Sequence, residues 1–155
     1  GGKGSEIEYQ TPVTPWFVSD FDDNGTVKRL FRVWSISDGE AANIEIKIEI
    51  LNVNPDGNNG SGSFDLRVRA FNDTEDLGVN VYESFSNLTL DPKSTNYILR
   101  RIGDGDQFPF NSSFIFIEFN EEDVITKTAL PYGCKVIQIH IVLALQMLFM
   151  QHNMI

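Results

Sequence analysis

The sequence predicts a mainly β domain of the α+β class, either one antiparallel sheet or a sandwich-like pair of sheets, with one short helix near residues 92–102. Two segments, Ile44–Ile50 and Phe64–Ala70, alternate apolar with charged residues, and a period of two residues is typical of half-buried strands. Two other segments, Lys28–Ser37 and Phe114–Phe119, are apolar on both faces, which is typical of interior strands. With 155 residues, 41% of them hydrophobic, the chain is long enough for one domain with a core.

The first predicted strand is Lys28–Ser37. Phe31 and Val33 lie on one of its faces, and Leu30 and Trp34 lie on the other. Because both faces carry large apolar side chains, we expect this strand to lie at the centre of its sheet.

Ile44–Ile50 and Phe64–Ala70 are predicted to pair as an antiparallel hairpin. Between them lies Asn52–Gly62, which contains Asp-Gly and Asn-Gly pairs, and these are typical of turns. The charged residues that face outward are Glu45, Lys47 and Glu49 on the first strand and Asp65, Arg67 and Arg69 on the second. We expect opposite signs across the strands, with each favourable pair contributing about 0.2–1 kcal/mol.

Three more elements follow along the chain. Val79–Phe85 is a less regular candidate strand, and Phe114–Phe119 is apolar on both faces, which predicts a buried strand. Between them, Asp91-Pro92 has the form of a helix N-cap followed by proline at the first helical position, and Gly103 is the glycine expected just past a helix end. The sequence therefore predicts a helix of two to three turns.

The ends of the chain differ from its body. We divide it into an irregular segment 1–14, a β-rich domain 15–133 and an anomalous hydrophobic tail 134–155. All 22 acidic residues precede Val124, whereas both histidines, all three methionines and Cys134 follow it. The apolar run Val136–Met150 is shorter than the roughly 20 residues that span a bilayer. Three interpretations are a buried strand or helix, a membrane-associated tail, and non-native residues such as an out-of-frame translation; the compositional break favours the last. The start, Gly1–Ser5, has the character of the interior of a longer protein.

Composition argues against several functions. The net charge of −10 disfavours partners with phosphate backbones or anionic membranes, so we expect neither nucleic acid nor membrane binding. Residues 1–133 contain no histidine and no cysteine. A serine or cysteine nucleophile needs a histidine base, and a typical zinc site needs histidine or cysteine ligands. The acidic residues Glu118, Glu121, Glu122 and Asp123 cluster in sequence, and solvated loop charges are their default explanation. We predict no enzyme, no catalytic residue and no cofactor.

A weak candidate metal site is formed by Asp20, Asp22 and Asn24. With Gly25 they match the opening of a calcium-binding loop, but Phe31 stands at the twelfth position, where a bidentate glutamate is required. A polar turn leading into the first strand is therefore the favoured interpretation.

One segment, Ser63–Asp104, is distinctive as a whole and reads SFDLRVRAFNDTEDLGVNVYESFSNLTLDPKSTNYILRRIGD. The strand Phe64–Arg69 is followed by an acidic turn, Asn72–Asp76. Three short motifs then follow in order: Glu83–Pro92, Asn96–Ile98 and Ile102–Asp104. In order and spacing this segment resembles contractile tail sheath proteins of myovirus-type phages, and in a broader sense the resemblance extends over residues 15–133. The residues that carry the resemblance are Phe64, Glu83, Phe85, Asn87, Leu88, Asp91, Pro92, Asn96, Tyr97, Ile98, Ile102, Gly103 and Asp104.

The resemblance implies a structural role in a virion. Sheath subunits stack as hexameric rings around a tail tube, and rearrangement of that lattice drives genome ejection without nucleotide hydrolysis. Expected partners are other sheath subunits, the tail tube protein, and the baseplate and tail terminator proteins, and expected locations are the phage tail and, during assembly, the host cytoplasm. If the resemblance holds, we expect the family's N-terminal region and C-terminal assembly domain to lie outside these 155 residues.

An alternative function is a β-sandwich module that recognises a cell-surface glycan or protein. Trp16, Trp34 and Tyr82 could provide aromatic rings for a sugar platform, although burial is the commoner fate of aromatic side chains.

Overall fold

The structure is a computed structural model that describes residues 13–36, 45–123, 125–132 and 135–140. Its elements, in chain order, are β1 (Phe17–Val18), β2 (Arg29–Ser35), β3 (Glu45–Asn54), α1 (Gly57–Gly60), β4 (Ser63–Ala70), β5 (Val81–Leu88), α2 (Ile98–Arg101), β6 (Ile115–Phe119) and β7 (Lys135–His140). The strands form two antiparallel sheets. The predicted mainly β fold is therefore confirmed.

The smaller sheet has the order β1-β2-β6, so β2 is its central strand, as its two apolar faces predicted. Strands β2 and β6 pair with Val33 opposite Ile117 and with Trp34 opposite Phe116. Of the β6 side chains, Ile115 and Ile117 are buried, whereas Phe116 is half-buried on the outward face. The prediction that this strand is buried is therefore right for one face only.

The larger sheet has the order β5-β4-β3-β7 and contains the predicted hairpin. Strands β3 and β4 pair with Ile48 opposite Val68, and the connection between them includes the four-residue helix α1. Strand β7 pairs with the other edge of β3, so this sheet includes part of the segment that we divided off as the tail. Residues 141–155 lie outside the described residues.

Strand β5 begins two residues later than predicted and continues to Leu88. Its pairing with β4 is interrupted by two register shifts, and Asn87 has a positive φ of 59°. Bulges of this kind twist an edge strand and hinder its pairing with another chain.

The core lies where the inward faces of the two sheets meet. Phe31 of the smaller sheet stacks on Phe17 at 5.1 Å between ring centroids and on Phe64 of the larger sheet at 6.0 Å. The isoleucines of β3 and both leucines at the end of the β5 segment, Leu88 and Leu90, belong to the same buried cluster. Burial of this apolar surface, at about 25 cal/mol per Å², is the main force that holds the sheets together.

The predicted helix is present but is only one turn long, so its predicted length is wrong. The Asp91 carboxylate accepts a hydrogen bond from the Lys93 main-chain N–H, which closes a local turn. The main chain of Thr89 then bonds to that of Asn96 and Ile98, so the chain is still extended at Tyr97. Helix α2 therefore cannot begin before Ile98.

The outward charges of the hairpin are only partly of opposite sign. Glu49 lies opposite Arg67, as predicted, but Lys47 lies opposite Arg69, so the prediction is wrong for that pair. The two cations are tolerated because the Asp73 carboxylate contacts both: it lies 3.1 Å from Lys47 Nζ and 2.9 Å from Arg69 Nε. We call Lys47, Glu49, Arg69 and Asp73 the ionic cluster.

The ionic cluster attaches the segment between β4 and β5 to the outward face of the larger sheet. The Asp73 side chain is 2% exposed and accepts hydrogen bonds from Arg69, from Lys47 and from the Asn80 main chain. Burial of this carboxyl raises its pKa, but those hydrogen bonds outweigh burial and lower the pKa from 3.8 to about 2.

This low pKa predicts acid-dependent stability. Because the folded-state pKa of Asp73 lies below the unfolded value, the unfolded chain binds the proton first, and the stabilisation present above pH 4 is lost as pH falls towards 2. Between pH 5 and pH 2 the loss from this group is expected to be about 2 kcal/mol. Urea unfolding of wild type and Asp73→Asn at both pH values measures it. A difference between the two proteins that stays constant with pH would contradict the prediction.

Among the described residues there is no helix long and apolar enough to cross a membrane.

Candidate functional site

The outward face of the smaller sheet carries an aromatic surface. Alternation in β2 and β6 directs Phe31, Val33, Ile115 and Ile117 into the core, and the intervening residues therefore point outward. The outward side chains are Arg32, Trp34, Phe116 and Glu118, and Trp16, just before β1, lies beside them. We call these five residues the floor of the aromatic groove.

The floor of the groove is ordered by one carboxylate. Glu118 Oε1 accepts hydrogen bonds from Arg32 Nε and from Trp34 Nε1, both at 2.7 Å. The guanidinium carbon of Arg32 then lies 4.5 Å from the centroid of the Trp16 ring and 5.2 Å from that of Trp34, within the range of cation–π attraction. The hydrogen bond from Arg32 keeps the pKa of the Glu118 carboxyl below its usual value, with burial opposing and Trp34 assisting.

The aromatic groove has an acidic rim. It is an open groove of about 910 Å³, and its lining also includes Asp104, Asp106, Glu121 and Glu122. The first two come from the turn after α2, and the last two follow β6. We call these four residues the acidic rim.

Three of the four acidic residues that cluster in sequence bind other residues, and two of these three share Arg29. Glu118 lies in β6, not in a loop, and binds Arg32. Glu122 binds Arg29 at 2.7 Å, and Asp123 accepts hydrogen bonds from the Arg29 main chain and from Asn120. Within residues 13–36, 45–123 and the other described parts, no group of three or more His, Cys, Asp or Glu side chains is arranged to hold a metal ion.

The structure brings together two of the three aromatic residues proposed for a sugar platform. Trp16 and Trp34 both line the groove, whereas Tyr82 stacks on Phe114 at 5.3 Å and is not part of the groove lining. The Trp34 ring is parallel to that of Phe116, with centroids 6.0 Å apart. Sequence reasoning missed Arg32 and Phe116 as members of this surface, although the alternation in each strand places them on the outward face.

Asp20, Asp22 and Asn24 form a turn before β2. Asp22 Oδ1 accepts hydrogen bonds from the main-chain N–H groups of Asn24 and Thr26, both at 2.9 Å, and Asp20 Oδ1 accepts one from Phe21. Gly25 has a positive φ of 76°, as such a turn requires. The carboxylate oxygens are thus used to close the turn that leads into the strand.

The apolar residues that carry the resemblance lie mainly in the core. Buried members are Phe64, Leu88, Tyr97, Ile98 and Ile102, and Phe85 packs against them half-buried. Burial, followed by the charge of Asp104, raises the pKa of the Tyr97 hydroxyl to about 12, so this hydroxyl is neutral at physiological pH.

The polar members hold turns in place by accepting hydrogen bonds. Glu83 accepts from the Ser112 hydroxyl and the Ser113 main chain, and Asp104 Oδ1 accepts from the main-chain N–H groups of Asp106 and Phe108. Asn96 Oδ1 accepts from Arg101, and the Pro92 carbonyl accepts from Arg100. Asp91 closes the turn that delays α2, and Gly103 follows that helix with a φ of 106°.

Comparison of the chain with protein-family models, with curated proteins and with solved structures finds no match.

Proposed function

We propose that this chain is a rigid, non-catalytic building block of a contractile tail sheath of the myovirus type. The single observation that carries the proposal is the position of the residues on which the resemblance depends. They occupy the core and the turns of one continuous unit, β4 to Asp104, and their polar side chains bond mainly to the main chain. Residues used in this way maintain a shape and leave little chemistry for a substrate.

The unit is connected to the smaller sheet by hydrogen bonds. Glu83 in β5 accepts hydrogen bonds from Ser112 and Ser113, in the segment just before β6. Gly103 in turn accepts a hydrogen bond from the Ile117 main chain in β6. These bonds connect the two sheets, so a load on one is transmitted to the other, as a subunit of a mechanical lattice requires.

In this proposal the partners are further sheath subunits, arranged in hexameric rings, together with the tail tube, baseplate and tail terminator proteins. The place of action is the phage tail. A glycan-binding module, the alternative, is less well supported, because Tyr82 stacks on Phe114 and lies outside the groove that Trp16 and Trp34 line.

Electron microscopy of the complete gene product tests the proposal. We expect negative staining to show rings or tubes at high protein concentration, decorated along their length by gold-labelled antibodies raised against this chain. A particle that stays monomeric under all conditions, or labelling restricted to the phage capsid, would contradict it. Binding of the chain to one class of glycan on an array would favour the alternative.

A further inference from the structure

We infer that the aromatic groove is a docking site for a basic, extended segment of another polypeptide. The inference depends on the groove alone and not on the proposed sheath function. Three properties of the groove carry it: its aromatic floor, the charge of its rim, and a guanidinium that the chain itself already places there.

The floor has the composition of an interaction surface. Trp16, Trp34 and Phe116 are half-buried side by side with Arg32, and tryptophan, arginine and large aromatic residues are enriched where proteins bind one another. The volume of about 910 Å³ is within the range of roughly 300–1,000 Å³ that holds a drug-sized ligand, so a few residues of an extended peptide fit.

The charge of the groove selects a cationic occupant. Glu118 and Glu122 are neutralised by Arg32 and Arg29, and Asp104 bonds to the main chain of its own turn. Asp106 and Glu121 are exposed and have neither an ion pair nor a side-chain hydrogen bond to any residue that the structure describes. Nucleic acids and other anions are repelled from the groove, and so is an acidic surface of a second copy of this chain.

Arg32 shows which chemistry the floor accepts. Its guanidinium lies over two indole rings while its Nε donates to Glu118. A lysine or arginine from a partner, placed next to Arg32, would find the same two elements: the aromatic side chains for its aliphatic stem and a rim carboxylate for its charge. Since Asp106 and Glu121 lie on different segments, two cations along one extended strand would satisfy both.

Intrinsic fluorescence provides a direct test, because Trp16 and Trp34 are the two tryptophans of the chain and both line the groove. The probe is a nine-residue peptide that alternates arginine with threonine, titrated into the full 155-residue chain at low salt. We expect a saturable change in tryptophan emission that weakens at least tenfold at high salt. A matched peptide with glutamate in place of arginine is expected to cause no change.

Two double variants with the same change in net charge locate the site. Asp106→Asn with Glu121→Gln is expected to weaken binding of the arginine peptide at least tenfold. Asp56 and Asp76 lie outside the groove lining, so Asp56→Asn with Asp76→Asn should keep the affinity within twofold of wild type. All four side chains are exposed, so both proteins should fold, and circular dichroism checks this. The inference would be overturned if both double variants weakened peptide binding equally, or if the wild-type chain gave no saturable signal. It would also be overturned if the chain associated with itself and Asp106→Asn with Glu121→Gln abolished that association.

Discussion

Replacing Arg69 with methionine is expected to lower the free energy of unfolding by about 3–5 kcal/mol, because it removes one partner of a buried ion pair and leaves Lys47 as the only other cation of the ionic cluster. The Arg69 side chain is 4% exposed and donates two hydrogen bonds to Asp73, at 2.9 and 3.1 Å. It also lies 3.3 Å from Glu49, whose Oε1 atom is buried without a hydrogen bond. Urea unfolding measures the loss.

Arg67 supplies the matched control, since it lies on the same strand and contacts the same Glu49. Its side chain is 35% exposed and its nitrogen lies 3.7 Å from the carboxylate, so Arg67→Met is expected to cost within about 1 kcal/mol. In a double-mutant cycle, Arg69→Met with Asp73→Asn should cost less than the sum of the single variants, by about 0.5–3 kcal/mol. Equal losses for Arg67→Met and Arg69→Met would show that the ionic cluster contributes no more than a surface pair.

The strands could be predicted because their pattern has a local cause. A strand with one buried face must alternate, and the isoleucines of β3 and the Phe64–Ala70 segment do so without interruption. The central place of β2 followed in the same way from its two apolar faces. Strand β5 was harder to place, because its two bulges shift which residues face the core.

The helix and the outward charges were wrong for a different reason: each depends on contacts between residues distant in sequence. Asp91-Pro92 fits the start of a helix and the start of a turn equally well, and the choice is made by main-chain bonds from Thr89 to Asn96 and Ile98. The Lys47–Arg69 pair is stable because Asp73 returns over the sheet to lie between the two cations. No local pattern contains that information.

The aromatic groove was only partly predictable. Trp16 and Trp34 stand out by composition, but their neighbours are decided by the pairing of β2 with β6, which places Phe116 beside Trp34. The acidic rim combines the turn after α2 with the segment after β6. These two stretches are separated along the chain, and only the fold brings them together on one surface.

Replacing Gly103 with alanine is the second substitution for which we expect a large effect, about 3–5 kcal/mol, as the sum of backbone strain and overpacking. Gly103 has a φ of 106°, and a Cβ atom at this position would collide with the Pro109 carbonyl oxygen and lie 3.0 Å from Phe110 Cα. These neighbours are main-chain atoms, so a rotamer change cannot relieve the contact. The turn would have to move as a unit.

Gly78 separates the two contributions. Its φ is 98°, but a Cβ atom there would meet nothing within 4 Å, so Gly78→Ala should show backbone strain alone, about 1–2 kcal/mol. A Gly103→Ala loss equal to that of Gly78→Ala would mean that the turn moves aside freely. Because the turn after Gly103 carries Asp104 and Asp106 of the acidic rim, Gly103→Ala should also weaken binding of the arginine peptide. Gly78→Ala should leave that binding unchanged. The close main-chain contact at Gly103 thus links the stability of the fold to the geometry of its proposed docking surface.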